Sequence, residues 1–265
     1  LFPHLNIFKN VSFGSKKENF KDIQKETFEI LKKIGLPHFS NIFPHQLSGG
    51  QKQLVAVARS LIRKPRLLMM DEPFANLDQR LKNKIRDIVL HLLQKTRTTA
   101  LIVTHDPDDA MFMGDFIAVM NKGKILQFDT PVNIYNKPNS SFVARFFGET
   151  LFLKSKINNN NVDTLFGPIK IKDSNLINSK EIEIIFRSEA FTITKNNSKK
   201  NSKKIKSKII ALKYIGENSY LHLDILSKHV QKHIHIKVPG KFIPPKNKIC
   251  YINIGKKNFF IFKYK

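Results

Sequence analysis

Along residues 1–148, apolar positions recur in helical spacing separated by short continuous runs. Ile23, Phe28, Leu31 and Ile34 fall on one helical face, and Gly35 followed by Pro37 stops that helix. Leu54, Val57, Ala58 and Leu61 mark a second helix, ended at Pro65. Leu81, Ile85, Ile88 and Leu92 line a third. Between them lie Leu67 to Met70 and Ala100 to Val103, unbroken apolar runs of the kind expected of strands buried on both faces. A helix is expected from about Pro107. Phe116 to Met120 is expected to be a further strand, turning at Lys122-Gly123 into Ile125 to Phe128. Strands alternating with helices predict an α/β domain with a largely parallel sheet.

From residue 149 the pattern changes to period two. Glu181 to Phe186, Tyr220 to Ile225, His233 to Val238 and Phe259 to Phe262 read as short alternating strands. Asn158 to Asn161 and Lys195 to Lys208 are polar, low-complexity stretches expected to be exposed loops. The fold class expected is therefore an α/β domain over residues 1–148 followed by a small all-β barrel over residues 149–265.

Composition changes this picture little. The 265 residues are 41% hydrophobic, enough for a sizeable core. The single cysteine, Cys250, excludes an internal disulfide and suits a reducing compartment. No apolar run approaches the roughly 20 residues of a spanning helix. Leu1-Phe2-Pro3-His4 has neither a basic start nor an apolar stretch, so no signal peptide is read there, and residue 1 is read as a truncation point. The net charge of +25 is concentrated in residues 149–265, with 24 basic against 8 acidic residues. Such a balance can mean nucleic acid or an anionic membrane. Few aromatics interleave with the lysines, so solvated lysine-rich faces are the preferred reading.

Candidate chemistry sits at three places. Leu47-Ser48-Gly49-Gly50-Gln51 directly precedes a helix. Two glycines permit close backbone approach, and a helix start favours an anion such as phosphate. Alone, this is an ordinary loop-to-helix junction. Leu67 to Met70 ends in Asp71-Glu72, where one carboxylate can hold magnesium through water and the next can orient or deprotonate an attacking water. Asp78 is a candidate helix N-cap, compatible with a functional role. Ala100 to Asp106 delivers His105 to the same sheet edge, where a histidine can contact a terminal phosphate.

Together, Leu47–Gln51, Leu67–Glu72, Asn76-Leu77-Asp78 and His105 follow the order and spacing of the ABC ATPases: signature motif, Walker B with catalytic glutamate, D-loop and switch histidine. The chain is accordingly identified as resembling an ABC transporter ATP-binding subunit, with a P-loop-type ATPase domain and its helical subdomain over residues 1–148. Leu1 to Leu5, Asn10-Val11 and Phe13-Gly14 resemble the segment just after the Q-loop glutamine. No Gly-x-x-x-x-Gly-Lys-Ser/Thr occurs in the sequence, so the Walker A loop is expected to be missing. The resemblance implies ATP and Mg2+ as cofactors. Ser48, Gly49, Gly50 and Gln51 would bind nucleotide held by a partner copy, and Asp71 would support magnesium. Glu72 would polarise water, His105 would contact the γ-phosphate, and Asp78 would link the two sites of a homodimer. Leu54 departs from the family, where many members carry Arg; little functional cost is expected.

Residues 149–265 resemble the OB-like accessory domain (TOBE-type) of importers for polyamines, sugars and ferric iron. Phe186-Arg187-Ser188-Glu189 resembles that domain's usual Arg-Pro-Glu with Ser for Pro, and Tyr214-Ile215-Gly216 with Tyr220-Leu221 fits a following strand pair. Asp71 to Asp78, Asp129-Thr130-Pro131 and Phe147-Gly148-Glu149 are closer to the ferric-iron group than to the polyamine pattern. The resemblance further implies two transmembrane permease subunits, an indirect solute-binding protein outside the membrane, no specific nucleic acid, and a peripheral place on the cytoplasmic face of the cell membrane. Alternatives are a polyamine importer, a soluble nucleic-acid-acting ATPase and a non-catalytic remnant. His222, His229, His233 and His235 are read as surface histidines. His233 and His235 share one strand face, but iron(III) prefers oxygen ligands and this subunit is not expected to touch the solute.

Overall fold

The computed structural model describes the chain except residues 76, 159, 165, 172, 178, 180, 195–204, 227–230, 241–248, 255–258 and 265. The chain forms two compact units, Leu1–Asp115 and Phe116–Lys265.

The first unit contains helices α1 (Ile7–Ser12), α2 (Phe20–Lys33), α3 (Gly49–Leu61), α4 (Gln79–Thr96) and α5 (Pro107–Met113), and strands β1 (Leu67–Asp71) and β2 (Thr99–Val103). Each helix begins where a side chain satisfies a free N–H group: Asn6, Asn19, Ser48, Asp78 and Asp106 are the N-caps. The α3 face Leu54, Val57, Ala58 and Leu61 is buried as the spacing predicts. On α2 and its C-cap, Leu31 and Ile34 are buried as the spacing predicts, but Phe28 is not. Thr27 and Ile30 are buried as well, and the exposed Phe28 ring lies 5.5 Å from that of Phe8. These helices enclose one core with Ile7, Val11, Phe74, Ile85 and Val89.

Strands β1 and β2 pair in parallel, Leu67 opposite Thr99 and Asp71 opposite Val103, so Glu72 and Thr104 leave the same edge. Their burial on both faces is not observed. Leu68 and Met70 are buried, but Met69 is 70% exposed, and Leu67, Leu101 and Val103 are also exposed. An apolar run in sequence fixes no partner for each face; here packing covers one face among the described residues.

The second unit opens with an antiparallel hairpin, β3 (Ile117–Asn121) and β4 (Lys124–Asp129), turning at Lys122-Gly123 with both residues at positive φ. Among the described residues, parallel pairing is therefore confined to β1 and β2. Helices α6 (Pro131–Asn136) and α7 (Ser141–Phe146) follow. Next come β5 (Thr150–Asn158), β6 (Asn161–Thr164), β7 (Gly167–Lys170), α8 (Ser174–Ile177), β8 (Glu181–Arg187), β9 (Phe191–Thr194), β10 (Ile205–Ile215), β11 (Asn218–Leu226), β12 (Gln231–Pro239), β13 (Ile249–Ile254) and β14 (Phe259–Lys263). They form two five-stranded sheets, ordered β12-β11-β10-β13-β9 and β14-β8-β5-β6-β7, around one core. Strands β12 and β9, at opposite ends of the first order, also approach each other.

Two stretches expected to be loops behave differently. Asn158 and Asn161 pair across the β5–β6 turn, and Ile205 to Lys208 open β10. Residues 195–204 of the second stretch lie outside the described residues, as do Asn76 and His229. Arg187, at the end of β8, is 2% exposed and donates to the carbonyls of Phe147 (3.1 Å) and Tyr135 (2.9 Å). A Cβ on Gly148 would press on this guanidinium, so any other residue there would displace Arg187 from its two carbonyls. Cys250 is buried in this core, which pushes its thiol up to about 11.

Candidate functional site

The predicted residues fall into two groups. In the first, β1 ends at Asp71 and the backbone turns through Glu72 at φ 45°, a conformation uncommon for a residue with a side chain. The Glu72 N–H donates to Val103 O at 2.8 Å, tying the turn to β2. Glu72 Oε1 accepts from the His105 backbone N–H at 2.9 Å and lies 2.7 Å from His105 Nδ1. Thr104 Oγ1 stands 3.5 Å from Oε2. Parallel pairing of two adjacent strands thus brings Glu72 and His105 into direct contact, a closer relation than a shared edge required.

This contact sets the electrostatics. The hydrogen bond from His105 holds the Glu72 carboxyl below its usual range, against a smaller opposing effect of burial. The same bond to Glu72 raises the His105 imidazole above its ordinary value. With Nδ1 engaged, Nε2 is the nitrogen left to meet a ligand. Asp71 is exposed at the strand end and makes no side-chain hydrogen bond or ion pair with another described residue.

The second group is the start of α3. Ser48 and Gln51 form a reciprocal capping box: Ser48 N–H donates to Gln51 Oε1 at 2.9 Å, and Gln51 N–H to Ser48 Oγ at 3.4 Å. The two glycines differ. Gly49 is exposed, and a Cβ there would lie at ordinary contact distance, 3.6 Å from Leu77. Gly50 is buried, and a Cβ would press on Leu81 at 3.0 Å and Ile85 at 3.2 Å. Its missing side chain serves the close approach of α3 to α4, so open backbone is presented at Gly49. Asp78 caps α4, Oδ1 accepting from the Leu81 N–H at 3.0 Å. No hydrogen bond among the described residues joins Ser48–Gln51 to Asp71, Glu72 or His105.

Behind His105 lies a charge cluster that the sequence reading missed. Lys82 and Arg86, one turn apart on α4, meet Asp106 and Asp109 at the start of α5. Lys82 Nζ is 3.1 Å from Asp109 Oδ1, and Arg86 Nη2 is 3.7 Å from Asp106 Oδ2. Lys82, Arg86 and Asp109 are buried. Burial opposes the charge on Lys82, but hydrogen bonds to Asp106 and Asp109 override it and raise its pKa. Thr104 Oγ1 bridges the two parts of the site. It donates to Asp109 Oδ2 at 3.2 Å and accepts from the Asp106 N–H at 3.1 Å. Paired i,i+4 cations and i,i+3 carboxylates were a legible signal, though their partnership across 23 or 24 residues was not.

Comparison with known proteins agrees with the motifs. Residues 1–75 match the family model described as ABC transporter. The Fe(3+) ions import ATP-binding protein FbpC of Haemophilus influenzae is 38% identical over 200 residues, 74% of this chain and 57% of its own length. The spermidine/putrescine import ATP-binding protein PotA of Mycoplasma capricolum is 40% identical over 222 residues, 78% of this chain and 61% of its own. The putrescine transport ATP-binding protein PotG of Escherichia coli is 31% identical over 86% of this chain and 63% of its own. A solved structure, cbiO1 from Clostridium perfringens, aligns with 51% of this chain and 55% of its own at 30% identity and a TM-score of 0.48. The chain spans a little over half the length of the first of these relatives. Over residues 1–75 the chain carries an ABC transporter domain, and over most of its length it is similar to import ATP-binding proteins.

Proposed function

We propose that the chain works as the ATP-hydrolysing subunit of a solute importer. The observation that carries this reading is the Glu72–His105 pair at adjacent parallel strand ends, 2.7 Å apart, with Asp71 left unengaged beside it. A carboxylate that orients water, a histidine with a free Nε2 and a second carboxylate fit a magnesium nucleotide. Bound magnesium supplies charge neutralisation on the phosphates. Within this chain, Asp71 would hold the ion through water, Glu72 would orient and polarise the attacking water, and His105 would donate from Nε2 to the terminal phosphate.

The exposed Ser48–Gln51 segment would serve a nucleotide held by a second copy. Each group makes its hydrogen bonds within itself, which suits two half-sites that a homodimer would complete, with Asp78 at the junction. The free N–H groups of the first turn of α3 and its dipole suit an anion there. Residues 1–148 would be the ATPase region and residues 149–265 the accessory domain, with the β12-to-β9 approach supporting an OB-like barrel. Arg187 explains why compactness groups residues 116–148 with the strands that follow: its guanidinium holds Tyr135 and Phe147. Two membrane permeases and a solute-binding protein would complete the importer, with this subunit peripheral on the cytoplasmic face. Among the described residues no helix is long and apolar enough to cross a membrane.

Ferric iron is our reading of the solute from residues Asp71 to Asp78. A polyamine is the second reading, favoured by 40% identity to the Mycoplasma capricolum protein over 222 residues. The test uses a protein in which these 265 residues are joined to a Gly-x-x-x-x-Gly-Lys-Ser/Thr loop. Ser48→Arg adds bulk and charge at the trans contact, so MgATP should no longer drive dimerisation in gel filtration. An unaltered MgATP-dependent dimer would remove Ser48 from the interface.

A further inference from the structure

The second unit holds a side-chain cluster unrelated to the nucleotide site. In the β11–β12 ladder, His222 stands directly opposite His235, and Asp224 opposite His233. All four occupy outward positions, because the alternate residues Leu221, Leu223, Ile234 and Ile236 are buried in the core. A slip of one residue would turn that apolar set outward, so the register that builds the core also fixes the histidines together.

The rings are close. His222 and His235 stack with centroids 4.0 Å apart, and His233 stands 4.8 Å from His235, nearly edge-on. One ligating nitrogen from each ring can be chosen so that all three lie within 4.8 Å of one another. Three nitrogens bound tetrahedrally at about 2.0–2.1 Å from one ion lie about 3.4 Å apart. Small side-chain rotations on an exposed face close that gap. Asp224 Oδ1 lies 2.8 Å from His233 Nδ1. That contact fixes the ring and directs Nε2 outward, as the carboxylate behind a metal-bound histidine does. Two lysines stand nearby: Lys208 faces Asp224 across the β10–β11 pairing, and Lys237 is already engaged, its Nζ 3.7 Å from Glu149 Oε1 and over the Tyr220 ring at 5.4 Å.

We propose that His222, His233 and His235 form a binding site for a divalent transition-metal ion of the zinc class, with Asp224 positioning His233. Imidazole nitrogens suit zinc, copper or nickel, whereas magnesium, calcium and ferric iron take oxygen donors. The site is therefore distinct from any magnesium at Asp71 and from an iron cargo. Three protein ligands on an open sheet face leave the fourth position to water or to a group from a partner.

Zinc chloride titrated into the 265-residue chain by calorimetry should show one ion per chain. Cobalt(II) in its place should give the strong visible absorption of a tetrahedral site. His235→Gln keeps size and polarity on the exposed face and should weaken zinc binding at least 10-fold with unchanged circular dichroism. Asp224→Asn should weaken it about 10–100-fold, and Asp224→Glu should restore part of the loss. Absence of a stoichiometric zinc site in the unmodified chain would overturn the proposal. So would a His235→Gln protein that binds zinc with unchanged affinity, since the ion would then sit on other side chains.

Discussion

Glu72 and His105 owe their contact to one left-handed residue. Glu72 at φ 45° costs on the order of 1 kcal/mol of backbone strain, and the turn it makes sends its carboxylate to the His105 N–H and imidazole. The pair is charged in the window between the lowered pKa of Glu72 and the raised pKa of His105. Its contribution fades as pH rises through the His105 value and as pH falls through the Glu72 value. Both groups face solvent, so the consequence lies in protonation more than in stability. In a proton NMR titration, His105 should titrate above the usual value of about 6.5 and fall towards it in Glu72→Gln. An unchanged His105 midpoint in that variant would show that the carboxylate does not hold the ring.

Between elements, the buried cluster on α4 and α5 decides where His105 sits. Asp106 is both the N-cap of α5 and a partner of Lys82, and it follows His105 directly. Arg86→Leu removes one partner and leaves the Asp109 carboxylate, 2% exposed, without its guanidinium. Asp109 keeps Lys82 Nζ and Thr104 Oγ1 as partners, so the loss is that of one charged hydrogen-bonding partner, about 1–3 kcal/mol, and urea unfolding should shift by that order. A loss below about 1 kcal/mol would mean that the cluster is not a packing anchor. Helical spacing in the sequence made the α3 face legible, because its apolar residues need only a neighbour of any kind. The burial of Lys82 and Arg86 was not legible for the opposite reason: the carboxylates that compensate it lie far along the chain. Strand β10 was hidden in a lysine-rich stretch. Its inward positions Ile205, Ser207 and Ile209 alternate with Lys206 and Lys208, and the small polar Ser207 interrupts the apolar set. Most legible was the placement of Ser48 to Gln51, Asp71, Glu72 and His105 at or beside element ends, which Gly, Pro and apolar runs announce. The mutual engagement of Glu72 and His105 was not legible, because strand order is not written in either segment. Likewise, the opposition of His222 and Asp224 to His235 and His233 depends on register, which no single strand carries.

For the molecule as a whole, each unit has its own core, and most of the net charge of +25 is carried by residues 149–265. Charge of this size attracts polyanions without reading them. Fluorescence anisotropy with duplex DNA should therefore give weak binding that falls steeply with salt and does not distinguish sequences. Tight, sequence-selective binding at physiological salt would favour a nucleic-acid function over transport.

Glu72 is proposed as the carboxylate that orients and polarises the attacking water, and phosphate release by Glu72→Gln tests this role most directly. The measurement uses the protein in which residues 1–265 are joined to a phosphate-binding loop. The amide nearly matches the carboxylate in shape, and Asp71 is left to support magnesium, so nucleotide binding should persist. Loss of the charge should slow hydrolysis by about 10²–10⁴, leaving an ATP-bound dimer that turns over very slowly. Phosphate release at a near-unmodified rate would contradict the assignment and remove the central residue of the proposed mechanism.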